Sequence, residues 1–273
     1  CTMIQRLEQL RNSILQVNAL MELEIESETD TSAVLPMMKG HIIVENVSFG
    51  YEENRDPIIG GLSFEALPGN VVSVMGRNGT GKTTILKMIK SMYQPTAGTV
   101  RIDGFDIRQL NSLELRRQMA YVPQQPDFFP GTIAENLVIG NPMAADEEIE
   151  QALRLADAWD DLNALPDGLE TMLGRNPFSS SLGARISLAR AYLQSASVML
   201  IDELPNAVLN GKAGENLKNY IEQHRGRKTF VIVSYRDDFI KMSDVSVHLR
   251  RNAEAWVKTG KDDVSTMSVK GVA

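Results

Sequence analysis

The chain has 273 residues, 43% of them hydrophobic and 23% charged, which is ordinary globular composition and enough for a substantial core. Its net charge of −7 comes without a long basic run, so nucleic acid is disfavoured as a partner. The single cysteine, Cys1, excludes an internal disulfide; His41, His224 and His248 show no ligand spacing; and no apolar run nears the ~18 residues that cross a bilayer.

In chain order, residues 1–25 predict an amphipathic helix. Met3, Leu7, Leu10, Ile14, Val17 and Met21 recur at steps of 4, 3, 4, 3 and 4, a narrow seam suited to packing on another helix. A surface helix folded back on its own domain is an equal reading. Glu22–Thr31 is an acidic linker, closed by Pro36. His41–Phe49 alternates as a strand with Tyr51 just past its end. Ile58–Phe64 and Val71–Met75 are further strands around the turn Pro68-Gly69-Asn70.

Gly76–Thr83, GRNGTGKT, fits the phosphate-loop pattern G-x-x-x-x-G-K-[ST] at every fixed position, between an apolar strand and a helix predicted over Thr83–Met92. Glycines at 76, 79 and 81 let the backbone turn tightly and bring N–H groups against phosphate oxygens, and the helix start adds its positive dipole end. Lys82 would reach the β- and γ-phosphates and Thr83 would ligate Mg²⁺. The candidate phosphate contacts are therefore Gly76, Arg77, Asn78, Gly79, Thr80, Gly81, Lys82, Thr83 and Thr84.

Further along, Thr99–Ile102 and Phe105–Ile107 flank Asp103-Gly104, a hairpin signal. Leu110–Met119 reads as helix and Ala120–Pro123 as a short strand. From Thr132 to about Leu165 the pattern is helical, with Asp146 as an N-cap, and Leu182–Leu193 is a second helix. Val198–Ile201 is an apolar strand, Asn216–His224 a helix, and Thr229–Ser234 and Val245–Leu249 are strands. Together these predict an α/β fold: a P-loop NTPase core with a mainly parallel sheet, an antiparallel β subdomain, and an inserted α-helical subdomain over about 127–190.

A phosphate loop needs a carboxylate for Mg²⁺ and a group that activates water. VMLIDE, Val198–Glu203, supplies both at the carboxyl edge of the sheet: Asp202 for the metal and Glu203 as general base.

These motifs carry a resemblance. The chain resembles the nucleotide-binding domain of an exporter-type ABC transporter from about residue 3 to residue 260. The marks are VSFGY (47–51), GRNGTGKTT, TVRIDGFDI, YVPQQPDFFPGTIAENL (121–137), LPDG, ARISLARAYL (184–193) and VMLIDE. The resemblance implies that Tyr51 stacks on adenine and that Gln124 touches Mg²⁺ and senses the γ-phosphate. It also implies that two such domains, identical or different, close head to tail on two ATP molecules. Residues 1–38 become a helix and linker continuing from a transmembrane domain of a longer chain. Residues 39–260 become the ATP-binding domain, and 261–273 a disordered tail. The location implied is the cytoplasmic face of a membrane, the bacterial inner membrane being the expectation.

Four departures stand against the family pattern. Aligned on ARISLAR, the signature L-S-G-G-Q becomes Phe178-Ser179-Ser180-Ser181-Leu182, so serines replace two glycines. Tyr235 stands where a switch histidine is usual. Asn206-Ala207-Val208-Leu209 ends on an apolar residue where the family has aspartate. Leu173–Pro177 has Arg175 in place of a glutamate. The expected activity is ATP hydrolysis driving transport, at a slow rate, with Glu203, Tyr235 and Gln124 as catalytic candidates and Ser179, Ser180 and Ser181 facing a partner's nucleotide. The alternative is a non-catalytic ATP-binding half that pairs with an intact partner.

Overall fold

The computed structural model describes residues 37–52, 56–173, 178–250 and 255–259, with positions 8, 11, 14 and 21 before them. The chain divides into two units, residues 1–32 and 33–273. In the first unit Glu8, Arg11, Ile14 and Met21 are helical and exposed. The rest of the expected seam lies outside the described residues, as do the acidic linker, positions 174–177 and the tail from 260.

In the second unit, β1 (Ile42–Phe49) pairs antiparallel with β2 (Ile59–Ala66). The expected alternation in β1 is interrupted by a bulge between Val44 and Val47, where Asn46 takes φ 47°. β3 (Val71–Gly76) opens a second sheet and leads into α1 (Lys82–Ile89). β4 (Ala97–Ile102) and β5 (Phe105–Asp106) return to the first sheet, whose order is β2-β1-β4-β5. Asp103 and Gly104 both have positive φ, 51° and 87°, as a two-residue hairpin turn requires.

The second half adds α2 (Ser112–Arg117), β6 (Met119–Val122), β7 (Gly131–Thr132), α3 (Ile133–Val138), α4 (Asp146–Leu155), α5 (Trp159–Asn163), β8 (Met172–Leu173) and α6 (Ser180–Leu193). It ends with β9 (Val198–Ile201), α7 (Asn206–Leu209), α8 (Lys212–His224), β10 (Thr229–Val233), α9 (Asp237–Met242), β11 (Val245–Leu249) and β12 (Ala255–Thr259). The large sheet runs β12-β11-β3-β10-β9-β6, parallel except for β12. Two apolar cores cover it, and strand alternation assigns residues between them. Val72, Val74, Leu200, Val231 and Val233 face the core shared with β1, β2, β4 and α1. Ile201, Phe230 and Ile232 face the core shared with α3, α4, α6 and α8.

Several expected elements are corrected. The single helical pattern from Thr132 to Leu165 is three separate helices, broken at Gly140–Pro142 and at Asp157, which takes φ 57°. Asp146 is the first residue of α4 rather than its cap. The cap position is Ala145, whose N–H donates to Glu148 Oε2 at 2.9 Å, and Asp146 lies in the first turn, where the dipole favours its charge. The helix after the phosphate loop stops at Ile89, because Ser91 turns to φ 55°. The β7–β8 ribbon, α9 and β12 were not foreseen.

Candidate active site

The site is assembled from the carboxyl ends of three neighbouring strands. β10 lies between β3 and β9, with Val233 beside Val74 and Ile232 beside Ile201. The phosphate loop after β3, Asp202-Glu203 after β9 and Ser234-Tyr235 after β10 therefore leave the sheet at one edge.

Gly76 takes φ +153°, and a Cβ there would lie 2.6 Å from the Leu249 carbonyl oxygen. Gly81 takes φ +94°, and its Cβ would meet Ile59 Cγ1 at 2.8 Å and Ile58 Cγ2 at 2.9 Å. Neither position accepts a side chain, which is the physical content of the two invariant glycines in the motif. Between them Arg77, Asn78 and Gly79 are exposed, and Thr80 is buried with its hydroxyl donating to Arg77 O at 2.8 Å.

Lys82, the first residue of α1, is 6% exposed. Its ammonium donates to Gly76 O at 2.7 Å, Arg77 O at 3.2 Å and Tyr235 Oη at 2.6 Å. Glu203 Oε2 is 4.0 Å from the same nitrogen. The Tyr235 hydroxyl in turn donates to Gly76 O. The structure thus brings Lys82, Glu203 and Tyr235 to one point.

Asp202 is 1% exposed. Its Oδ1 accepts from Glu203 N at 2.9 Å and its Oδ2 from the Tyr121 hydroxyl at 3.4 Å, while Asp202 N donates to Val122 O at 2.9 Å. Burial and the Asp202 carboxylate push the Tyr121 phenol well above its ordinary range, so it remains a donor. The Lys90 ammonium sits 4.5 Å from the Tyr121 ring centroid, and burial with the nearby Arg116 lowers it to about 8. Neither Tyr121 nor Lys90 was singled out as a site residue in the sequence, since each stands in an ordinary strand or helix position.

Tyr51 is exposed, and its hydroxyl is 2.9 Å from Thr84 Oγ1 on α1. Its ring meets Phe49 and Tyr93 edge-on at 5.1 and 5.6 Å, so an aromatic cluster holds it beside the phosphate-loop helix. Thr83, the residue before Thr84 on α1, is half-buried. Gln124 is exposed two residues past β6, next to the strand end that carries Asp202. The serines of the expected signature stand apart. Ser179 caps α6, its Oγ accepting from Leu182 N at 3.2 Å, and Ser180 and Ser181 form the first turn. Among the described residues no hydrogen bond or ion pair joins them to the phosphate loop.

The donor set suits Mg²⁺. The Thr83 hydroxyl, the Gln124 amide and the Asp202 carboxylate are hard oxygen ligands of the kind that share a Mg²⁺ with phosphates and water. Among the described residues no three His, Cys, Asp or Glu side chains converge on one point, and no helix is long and apolar enough to cross a membrane.

Comparison with known proteins agrees with this geometry. The sequence model of the family described as ABC transporter matches residues 59–206. P-glycoprotein 14 of Caenorhabditis elegans is 37% identical over 217 residues, 78% of this chain and 16% of that protein. The ATP-dependent lipid A-core flippase of Chromobacterium violaceum is 33% identical over 229 residues, 82% of this chain and 39% of that protein. A bacterial Atm1-family ABC exporter solved with ATP bound superposes with a TM-score of 0.79 at 27% identity, over 92% of this chain and 45% of that one. The chain thus spans less than half the length of each of these relatives. With the phosphate loop, the Asp202-Glu203 pair and their shared sheet edge already in place, these matches make the chain a member of the ABC transporter family, a nucleotide-binding domain of the exporter type.

Proposed function

We propose that this domain binds Mg·ATP and hydrolyses it, and that in the longer protein of which its relatives are examples the hydrolysis drives export across a membrane. The observation that carries the reading is the convergence of Lys82 and Glu203, 4.0 Å apart, at the edge where β3, β10 and β9 end. A cation that meets phosphate and a carboxylate able to take a proton from water stand side by side at the edge the phosphates would enter. The backbone N–H groups of residues 77–83 hold the phosphates, with the start of α1 adding its dipole. Tyr51 offers its exposed ring to the adenine. Thr83, Asp202 and Gln124 hold Mg²⁺, which, when bound, neutralises phosphate charge. Glu203 orients and deprotonates the attacking water.

The partner is a second nucleotide-binding domain, whose phosphates meet the Ser179–Ser181 turn of this chain. The membrane-spanning part belongs to the same longer protein, and this domain works on its cytoplasmic face, where ATP is supplied.

The test is phosphate release from Mg·ATP at high protein concentration, with Lys82→Ala as the blank. Release well above the blank that Glu203→Gln abolishes supports hydrolysis at this site. Preserved binding of a fluorescent ATP without release identifies a non-catalytic half that needs an intact partner. Loss of both binding and release sinks the nucleotide reading.

A further inference from the structure

The three donors of the Lys82 ammonium already have three acceptors within the protein: Gly76 O, Arg77 O and Tyr235 Oη. An ammonium has no fourth proton to offer. A phosphate oxygen that reaches Lys82 must therefore replace one of them. Gly76 O and Arg77 O belong to the loop backbone, and Gly76 is fixed by its left-handed φ and its contact with Leu249. Tyr235 is different. It is a side chain, 47% exposed, on the segment between β10 and α9, and its ring lies 4.9 Å from the same nitrogen. Its hydroxyl also donates to Gly76 O, so the phenol bridges the lysine and the loop that a phosphate would enter.

The geometry points to Tyr235 as a latch on Lys82: its hydroxyl occupies the place on the lysine that a phosphate oxygen takes, and nucleotide binds by displacing it. This inference rests on the nucleotide reading above and adds a regulation of the same site. It is also the opposite of the role a phosphate-contacting residue at position 235 would have, because here the hydroxyl competes with the ligand rather than adding to its binding. Tyr235 acts on the nucleotide through Lys82 and is in that sense a positioning residue. The latch is held by charge-assisted contacts, so it sets a threshold that nucleotide must exceed before the lysine is free.

The sign of one substitution decides. Tyr235→Phe keeps the ring over Lys82 and removes only the hydroxyl. ADP is the informative ligand, since it has no γ-phosphate whose contact with the hydroxyl could be lost along with the latch. Titration of the purified chain with a fluorescent ADP should give binding roughly 3- to 10-fold tighter for Tyr235→Phe than for the unaltered chain, the scale of one hydrogen bond. The association rate should rise in step. Tyr235→Ala, which also removes the ring, should tighten binding at least as much.

Unchanged or weaker ADP binding in Tyr235→Phe overturns the latch and leaves the nucleotide reading standing, because a γ-phosphate ligand at this position predicts no change with ADP and a purely structural tyrosine predicts no change or a loss. Binding of neither ADP nor ATP, by the unaltered chain or by Tyr235→Phe, overturns the nucleotide reading and the latch together.

Discussion

The turn before α1 and the turn before α6 each present a helix start flanked by small or hydroxyl-bearing residues, yet they are built on different terms. At the first, the chain's own atoms dictate the two fixed glycines and the lysine. Gly76 faces Leu249 O, Gly81 faces Ile58 and Ile59, and Lys82 is buried and fully hydrogen-bonded. At the second, Ser179 sits at ordinary dihedrals, φ −58° and ψ 149°, and Ser180 is exposed. The cap asks for a side-chain oxygen at 179, and among the described residues nothing demands serine or glycine at 180 or 181. One anion site is complete within a single chain. The other, on the proposed reading, is left open for a second domain that docks on α6.

The largest effect should follow from breaking the first of these. Gly76→Ala sets a Cβ against a backbone oxygen at 2.6 Å, where no flexible side chain can give way. Strain in the left-handed region and overpacking together should cost roughly 2–5 kcal/mol and abolish ATP binding, read by thermal melting and by titration with nucleotide. A melt within 1 °C of the unaltered chain would show that the loop is less tightly fixed than its contacts indicate.

Next comes the link between the two regions. Gly183 on α6 faces Pro126, and an added Cβ would lie 3.0 Å from Pro126 Cγ. Gly183→Ala gains about 1 kcal/mol of helix propensity, which offsets the tight contact, so stability should change little. The segment after β6 that carries Gln124 must move by a few tenths of an ångström instead. Phosphate release should fall by about 3- to 10-fold while nucleotide affinity holds, since small misplacements act on chemistry before binding. Equal release from both chains would uncouple α6 from Gln124.

A smaller, pH-dependent effect belongs to the far end of α1. Lys90 is lowered from its ordinary 10.5 to about 8 by burial and by Arg116. Below about 8 both folded and unfolded chains carry its proton, and the folded state bears the cost of a buried ammonium. Between 8 and 10.5 the folded chain releases that proton while the unfolded chain keeps it, so this residue makes stability rise with pH across that window. Lys90→Met should melt higher than the unaltered chain near pH 7, with the gap closing toward pH 10.5. A gap independent of pH would mean that packing, not charge, sets the difference.

Much of the first region was legible in the sequence, and the reason is local. A buried parallel strand reads as a near-continuous apolar run, broken in Val71–Met75 only by Ser73 and in Val198–Ile201 not at all, and the residues that follow these strands fall at the sheet edge by topology alone. What stayed hidden depends on tertiary pairing. The contact of Tyr235 with Lys82 joins residues 153 positions apart, and no spacing encodes it. The Tyr121 hydroxyl on Asp202 depends on β6 lying beside β9. β12 pairs with β11 through residues that alternate weakly, and the two-residue strands β7 and β8 carry no period to detect. The helices between 133 and 163 resemble one continuous helix in the sequence because apolar residues recur across the breaks at Gly140–Pro142 and Asp157.

The smallest effect on the isolated chain should come from Ser180→Gly with Ser181→Gly, and it bears most directly on the contrast between the two helix starts. Glycine costs a helix interior about 1 kcal/mol relative to alanine, less in a first turn, so the melting temperature should drop only slightly. Binding of ATP to a single chain should not change, because these residues make no contact with the phosphate loop among those described. If the start of α6 receives the phosphates of a second copy, removing two side chains lets its backbone N–H groups approach them. Phosphate release should then rise with protein concentration, more steeply than in the unaltered chain. Release that stays flat at every concentration would mean that the open anion site faces a different chain, whose own residues complete it.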